Sequence, residues 1–249
     1  MAKSRAEAAA PEPGHGYFAW SRDPAVGLFA VLPLWLVYEG LRLQLAPSER
    51  NLSEWLLLDT VARLGPIFGA VLRAALAIAV FAAMRSVISR QIPWAKVTLV
   101  LILEGTVYGL LLGPLAGALA GPAERLLDAA AFPGRERLLQ DLVGSLGAGI
   151  FEEIVFRLGL MSLLVWLWLR AGAGTHASRL LGGVVAVVVS AVLFSLHHHL
   201  REPFDRPVFL FRTMAGVLLG LLFWFRGFGV CVYTHAMYDV YFFLTHDGS

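Results

Sequence analysis

Charged residues and cysteine are scarce in this chain of 249 residues. Only 15% of its residues are charged and 58% are hydrophobic, with a mean hydropathy of +0.70, whereas soluble domains are about 25% charged. This composition excludes an ordinary water-soluble globule. The lone cysteine, Cys231, excludes an intrachain disulfide and a CxxC metal site. The small net charge of +2 gives no support for a nucleic-acid partner, and none is predicted.

The chain also lacks a polar stretch long enough to form a second core. Apolar runs recur between residues 25 and 244, and each compares with the ~20 residues that cross a ~30 Å hydrocarbon core. The sequence therefore predicts an all-α, polytopic transmembrane bundle, with a single membrane domain over residues 25–249. Residues 1–24 show no cleavable signal-peptide pattern and are predicted to form a disordered tail.

About seven spanning helices are predicted from the lengths of the apolar runs and the charges that interrupt them. The predicted spans are 25–45, 66–84, 97–119, 142–169, 180–200, 208–225 and 228–244. Residues 52–64 predict an interfacial or extended helix, and residues 124–141 a surface loop or a helix lying on the membrane. Lysine and arginine divide evenly between the two sides, so only the tendency of the first helix to dominate favours a cytoplasmic N-terminus.

Ionisable side chains inside the predicted spans are candidates for function, because each costs at least ~2.5 kcal/mol near the bilayer centre. In the fourth span, Glu153 and Arg157 are four residues apart on one helix face, which suits an ion pair that keeps Glu153 ionised. Glu152 points roughly 100° away from that pair. It is therefore the candidate general base.

Two further spans carry imidazoles. His235 and Asp239 in the seventh span are also four residues apart, so the carboxylate can orient the ring and set its tautomer. His198 ends the fifth span, on the membrane side where the fourth begins, so it is expected to meet Glu152. Each pair read alone also suits a structural contact between helices. The occurrence of acids and bases at matching depth in three helices favours a reaction site.

These motifs resemble a known family. The patterns are Glu-Glu-x-x-x-Arg at Glu152, Glu153 and Arg157, Phe-x-x-x-His at Phe194 and His198, and His-x-x-x-Asp at His235 and Asp239. Their types, order and placement within residues 142–244 are similar to those of the CAAX protease and bacteriocin-processing (CPBP/Abi) intramembrane proteases. The last position is often Asn in that family, and Asp239 departs from this form. A carboxylate there must be protonated to donate to an oxyanion, or must act by orienting His235.

The resemblance implies a membrane endopeptidase in which Glu152 activates water, assisted by His198, while His235 and Asp239 lie at the oxyanion. The catalytic set that it implies is Glu152, Glu153, His198, His235 and Asp239. Arg157 and Phe194 are implied as structural support.

Several alternatives stay open at the level of sequence. A metal-free site is preferred, but a zinc site with Glu152, His198 and His235 as ligands has suitable ligand types. The implied partners are the lipid bilayer and a membrane-anchored protein or peptide, cut near a C-terminal tail as in the myxosortase-like branch. The expected location is the bacterial inner (cytoplasmic) membrane. The competing class is a non-catalytic scaffold, immunity protein or proton-coupled transporter, although the paired, broken halves of a transporter are not found.

Overall fold

A computed structural model describes residues 16–45, 52–121, 138–172, 175–200 and 202–245. The regular structure within these ranges is entirely helical, which confirms the predicted all-α bundle. The helices are α1 (Tyr17–Arg22), α2 (Pro24–Arg42), α3 (Leu52–Arg63), α4 (Pro66–Ser89), α5 (Trp94–Ala120), α6 (from Leu138 to Arg170), α7 (His176–His198), α8 (Arg206–Arg226) and α9 (Phe228–Thr245).

Five of these helices, α2, α4, α5, α7 and α8, are long and apolar enough to cross a membrane. They correspond to five of the seven predicted spans. The other two predicted spans are also helical, as α6 and α9, and α3 occupies the predicted interfacial segment. The predicted loop or lying helix at 124–141 falls mostly on residues 122–137, which lie outside the described residues; residues 138–141 begin α6.

The structure differs from the prediction of a disordered tail at α1. Residues 1–15 lie outside the described part, but Tyr17–Arg22 form a helix tied to two spans. The Tyr17 hydroxyl donates to Glu104 of α5, and Arg226 at the end of α8 donates its Nε–H to the same carboxylate over 2.7 Å. Composition alone does not predict α1, because the residues that hold it in place, Glu104 and Arg226, are far away in the sequence.

Asp23 marks the start of α2. Its carboxylate accepts from the backbone N–H groups of Ala25 and Val26 and pairs with Arg90 Nη1 at 2.7 Å. Burial alone would raise the pKa of the Asp23 carboxyl, but the hydrogen bonds from Arg90 and the helix N–H groups outweigh burial and lower the pKa. Asp23 therefore fixes the entry of the chain into the bundle and joins it to the end of α4.

Helix α9 lies at the centre of the bundle, because every residue from Phe228 to Ala236 is buried. Glycines on its neighbours allow this close approach. A Cβ at Gly105 of α5 would lie 2.6 Å from the Cβ of Tyr233, and one at Gly149 of α6 would lie 2.6 Å from the Cβ of Ala236. Small residues at these positions let backbones approach closely, as is usual between membrane helices.

We predict that Gly105→Ala destabilises the bundle by about 1–3 kcal/mol, since the added methyl group overlaps Tyr233 and the α9 backbone. Gly40→Ala is the matched control, because a Cβ at this helical glycine meets nothing within 4 Å. Unfolding in detergent measures the free energy of both variants. Equal stabilities would contradict the close α5–α9 packing.

Candidate active site

Helix α6 changes its winding where it carries the predicted motif. Its ends, Leu138–Gly147 and Ser162–Arg170, are α-helical, whereas Ala148–Glu152 and Ile154–Met161 form π-helical turns. Such turns are rare and occur frequently at functional sites. The predicted span is thus continuous and helical, with π-helical winding at the motif.

The predicted pair of Glu153 and Arg157 is confirmed. Arg157 Nη1 lies 2.9 Å from Glu153 Oε1, and both side chains are completely buried. Arg157 also donates from Nη2 to the backbone carbonyl of Gly216 in α8 over 3.1 Å, and its guanidinium lies 4.6 Å from the centre of the Phe194 ring. The pair therefore connects α6 to α7 and α8.

Glu153 makes further contacts that the sequence did not indicate. Its Oε1 is 2.7 Å from Nδ1 of His235, and its Oε2 accepts from the Cys231 thiol over 2.9 Å. An ionised Glu153 accepts a hydrogen bond from the Nδ1–H of His235, which fixes the ring orientation. Glu153 thus joins the α6 ion pair to α9.

Glu153 therefore accepts the hydrogen bond that orients His235, and the prediction that assigned this role to Asp239 is corrected. Asp239 Oδ2 lies 3.6 Å from Nε2 of His235, beyond a hydrogen bond. The physical reason is the approach of α6 to α9 at Gly149, where no side chain separates the two backbones. This approach brings Glu153 to Nδ1 and leaves Asp239 beside the opposite ring nitrogen.

Glu152 occupies the space between two imidazoles, as expected for His198. Its Oε2 is 3.6 Å from Nε2 of His198 and 3.9 Å from Nε2 of His235. The Glu152 side chain is only 3% exposed. His198 holds the carbonyl of Phe194 with Nδ1 over 3.0 Å. Because a carbonyl can only accept, Nδ1 carries a proton and Nε2 of a neutral His198 faces Glu152 as an acceptor.

Phe194 packs among the site residues. Its ring centre lies 4.9 Å from that of His198 and 5.7 Å from that of His235, both in edge contacts. The two histidines next to His198 in the sequence, His197 and His199, contact residues outside the site. His197 Nε2 contacts the Ser53 hydroxyl of α3 at 2.9 Å, and His199 Nδ1 contacts the carbonyl of Pro203 at 3.2 Å. Phe194 therefore packs against both His198 and His235 and against the Arg157 guanidinium.

A metal site was the alternative interpretation of the same side chains. Within the described ranges, no group of three or more His, Cys, Asp or Glu has the arrangement of a metal-binding site. Glu152, His198 and His235 nevertheless present one oxygen and two nitrogens to a shared space, so these are the residues that would hold a cation.

Two contributors to the site were missed from the sequence. Cys231 was considered only as a lone thiol, and no sequence pattern indicated the carbonyl of Gly216 as an acceptor for Arg157. For Cys231 a signal existed, because Cys231, His235 and Asp239 are spaced by four residues and share one face of α9. No spacing rule identifies a backbone carbonyl on another helix.

The five long apolar helices indicate an integral membrane protein, and a comparison with known families adds a likeness to a class of enzyme. Residues 135–241 match the family model described as type II CAAX prenyl endopeptidase Rce1-like. This segment is thus similar to the CAAX-type intramembrane proteases, a family of peptide hydrolases, and it contains every residue of the three motifs. No curated protein and no solved structure matches the chain.

We predict that Arg157→Met destabilises the protein by about 3–5 kcal/mol, because the buried Glu153 carboxylate would lose its guanidinium partner. Adding Glu153→Gln should recover part of this loss, since the unpaired charge is then removed. Unfolding of the single and double variants in detergent forms the test. A double variant that loses the full sum of both single effects would contradict direct coupling of the pair.

Proposed function

We propose that the chain is a metal-independent endopeptidase whose water-activating group is Glu152. The observation that carries this proposal is the approach of Glu152 Oε2 to the Nε2 atoms of His198 and His235 inside the bundle. A carboxylate among imidazoles, largely shielded from solvent, is the arrangement that general acid–base catalysis requires.

Glu152 and His198 suit the activation of one water molecule. Both present acceptors, and the 3.6 Å between Glu152 Oε2 and His198 Nε2 lets a single water donate a hydrogen bond to each. In the proposed reaction the water oxygen bonds to the scissile carbonyl carbon and its proton passes to Glu152. The C–N bond then breaks, and the same proton is returned to the leaving amine.

His235 is proposed to stabilise the oxyanion of the tetrahedral intermediate. With the Nδ1 proton held by Glu153, Nε2 is an acceptor in the neutral ring and a donor in the imidazolium. The oxyanion role therefore requires the imidazolium. The carboxylates of Glu153, Glu152 and Asp239 surround this ring and supply the compensating charge. Asp239 acts here through its charge, and Glu153 acts as the positioning group.

The proposed substrates are membrane-anchored proteins cut near a C-terminal tail. This follows from the family match, whose description names a prenyl endopeptidase, and from the residues that resemble the branch trimming C-terminal sorting tails. With a cytoplasmic N-terminus, the mouth of the site faces outward, which suits an extracytoplasmic tail. We further propose the bacterial cytoplasmic membrane as the location, from the Ala, Leu, Arg and Gly richness of the chain.

We predict that Glu152→Gln and His198→Gln each lower cleavage of tagged, membrane-anchored tails in proteoliposomes by about 10²–10⁴-fold, the usual contribution of general acid–base groups. His199→Gln is the matched control, because this neighbouring imidazole contacts Pro203 instead of Glu152. Cleavage should survive a chelator.

Two outcomes would contradict the proposal. Loss of cleavage with a chelator, restored by Zn²⁺, would assign Glu152, His198 and His235 to a zinc site. If wild type and Glu152→Gln were equally inert on every tail while the variant still complemented a deletion strain, the chain would be a non-catalytic scaffold or immunity protein.

A further inference from the structure

Arg212 of α8 forms an ion pair that the proposed mechanism does not use. Its Nη1 lies 2.6 Å from Oε2 of Glu202, and its Nη2 lies 3.4 Å from Oε1 of the same residue. The guanidinium thus engages both carboxylate oxygens, a two-point geometry that arginine offers to planar carboxylates. Glu202 lies in the short connection between α7 and α8, and its side chain is 52% exposed.

Arg212 lies on the face of α8 that looks toward the site. It precedes Gly216 by one helical turn, and the carbonyl of Gly216 accepts from the buried Arg157. A Cβ at Gly216 would also lie 3.0 Å from Ala191 of α7, on the same side. The charge of Arg212 reaches His198 and Asp239, since it acts electrostatically on both.

Exposure rises in steps from the reacting groups to Arg212. The side chains of Glu152 and His235 are 3% and 5% exposed, those of Asp239 and His198 are 19% and 23%, and that of Arg212 is 24%. The end of α7, the start of α8 and the later half of α9 lie on one side of the bundle. Arg212 is therefore about as exposed as His198 and lies on the same side of the bundle, which we call the mouth of the site.

The mouth needs a cation if an anionic group is to enter. Glu152, Glu153 and Asp239 outnumber the two buried cations, Arg157 and the His235 imidazolium, and carboxylates repel one another at close range. Glu202 shows that a carboxylate is held here. Burial alone would raise the pKa of the Glu202 carboxyl, but the hydrogen bond and charge of Arg212 outweigh burial and lower the pKa. Glu202 is thus ionised at neutral pH.

We propose that Arg212 binds a carboxylate of the substrate tail, its free C-terminus, which takes the place of Glu202 on the guanidinium. The inference rests on the proposed function and names the specificity of the same site. Exchange is feasible because solvent-exposed ion pairs contribute little net stability, so Glu202 yields to an incoming anion. Because the Ser195 hydroxyl of α7 donates to the carbonyl of Phe209 in α8 over 2.8 Å, Arg212 lies beside the end of α7 that carries His198, so the bound carboxylate lies within a few residues of the scissile bond.

Binding of two matched peptides to the full-length Glu152→Gln protein tests this assignment without requiring cleavage. The probes are a fluorescent, N-palmitoylated peptide ending in Leu-Val-Leu as the free acid and the same peptide as the C-terminal amide. The protein is held in phosphatidylcholine nanodiscs, with empty nanodiscs as the blank. Arg212→Gln, Arg212→Lys and Glu202→Gln are compared on this background, and Arg63→Gln on α3 is the control for loss of one positive charge.

The acid should bind about 10- to 100-fold more tightly than the amide, the usual effect of one charged hydrogen-bonding pair. Arg212→Gln should remove this preference for the acid while leaving amide binding unchanged. Arg212→Lys should keep part of the preference, because lysine supplies the positive charge without the two-point hydrogen bonding of a guanidinium. Glu202→Gln should tighten acid binding, since the competing carboxylate is gone. In the protein that retains Glu152, Arg212→Gln should raise KM for the acid tail more than KM for the amide tail.

Three results would overturn the assignment. The first is a preference for the acid that survives Arg212→Gln. The second is an equal loss of affinity for both peptides in that variant, which a purely structural role of Arg212 would produce. The third is a dependence on Arg212 that appears only after anionic phosphatidylglycerol is added and is the same for both peptides, because Arg212 would then hold a lipid phosphate. Acid selectivity without cleavage of any tail by the wild type would count against the proposed function and leave the carboxylate site in place.

Discussion

The buried contact between Glu153 and Arg157 is the interaction on which the rest of the site depends. A charged pair without solvent exposure depends on further hydrogen bonds to its atoms, and here other helices supply three of them, while Arg157 Nε has no partner among the described residues. Arg157 holds the carbonyl of Gly216, and Glu153 holds His235 and the Cys231 thiol. One ion pair thus fixes α6 against α8 and α9. The separation between Glu152 and the two imidazoles follows from that arrangement.

Close packing and polar chemistry support each other in this bundle. Gly149 lets α6 approach α9, and this approach allows Glu153 to reach Nδ1 of His235. Glu152 lies in one of the π-helical turns of α6, so the helix is irregular at the proposed reaction centre. Farther away, Glu104 and Arg226 anchor α1 by the same principle, with each buried charge paired across helices. Pairing across helices is what makes such charges tolerable inside a membrane protein.

Residue spacing along the chain predicts the contacts within one helix, but it does not predict those between helices. The apolar runs predicted where helices lie, and the four-residue spacing of Glu153 and Arg157 predicted their ion pair, because both depend on neighbours along one helix. The approach of Glu152 to His198 followed from antiparallel order. The bond from Glu153 to His235 was assigned to Asp239 instead, because spacing within α9 says nothing of a carboxylate arriving from α6. The place of Arg212 likewise depends on how α8 is rotated, which its own residues do not reveal.

The most direct measurement of the central claim, that Glu152 activates water, is a single turnover in H₂¹⁸O with the first tail found to be cleaved. Mass spectrometry of the product and of the recovered protein locates the isotope. If Glu152 is a general base, the new C-terminal carboxylate carries one ¹⁸O and the protein carries none, because the water oxygen bonds directly to the scissile carbon. An unlabelled product with ¹⁸O in the Glu152 carboxylate after turnover would contradict the account, since it requires Glu152 itself to have attacked the substrate.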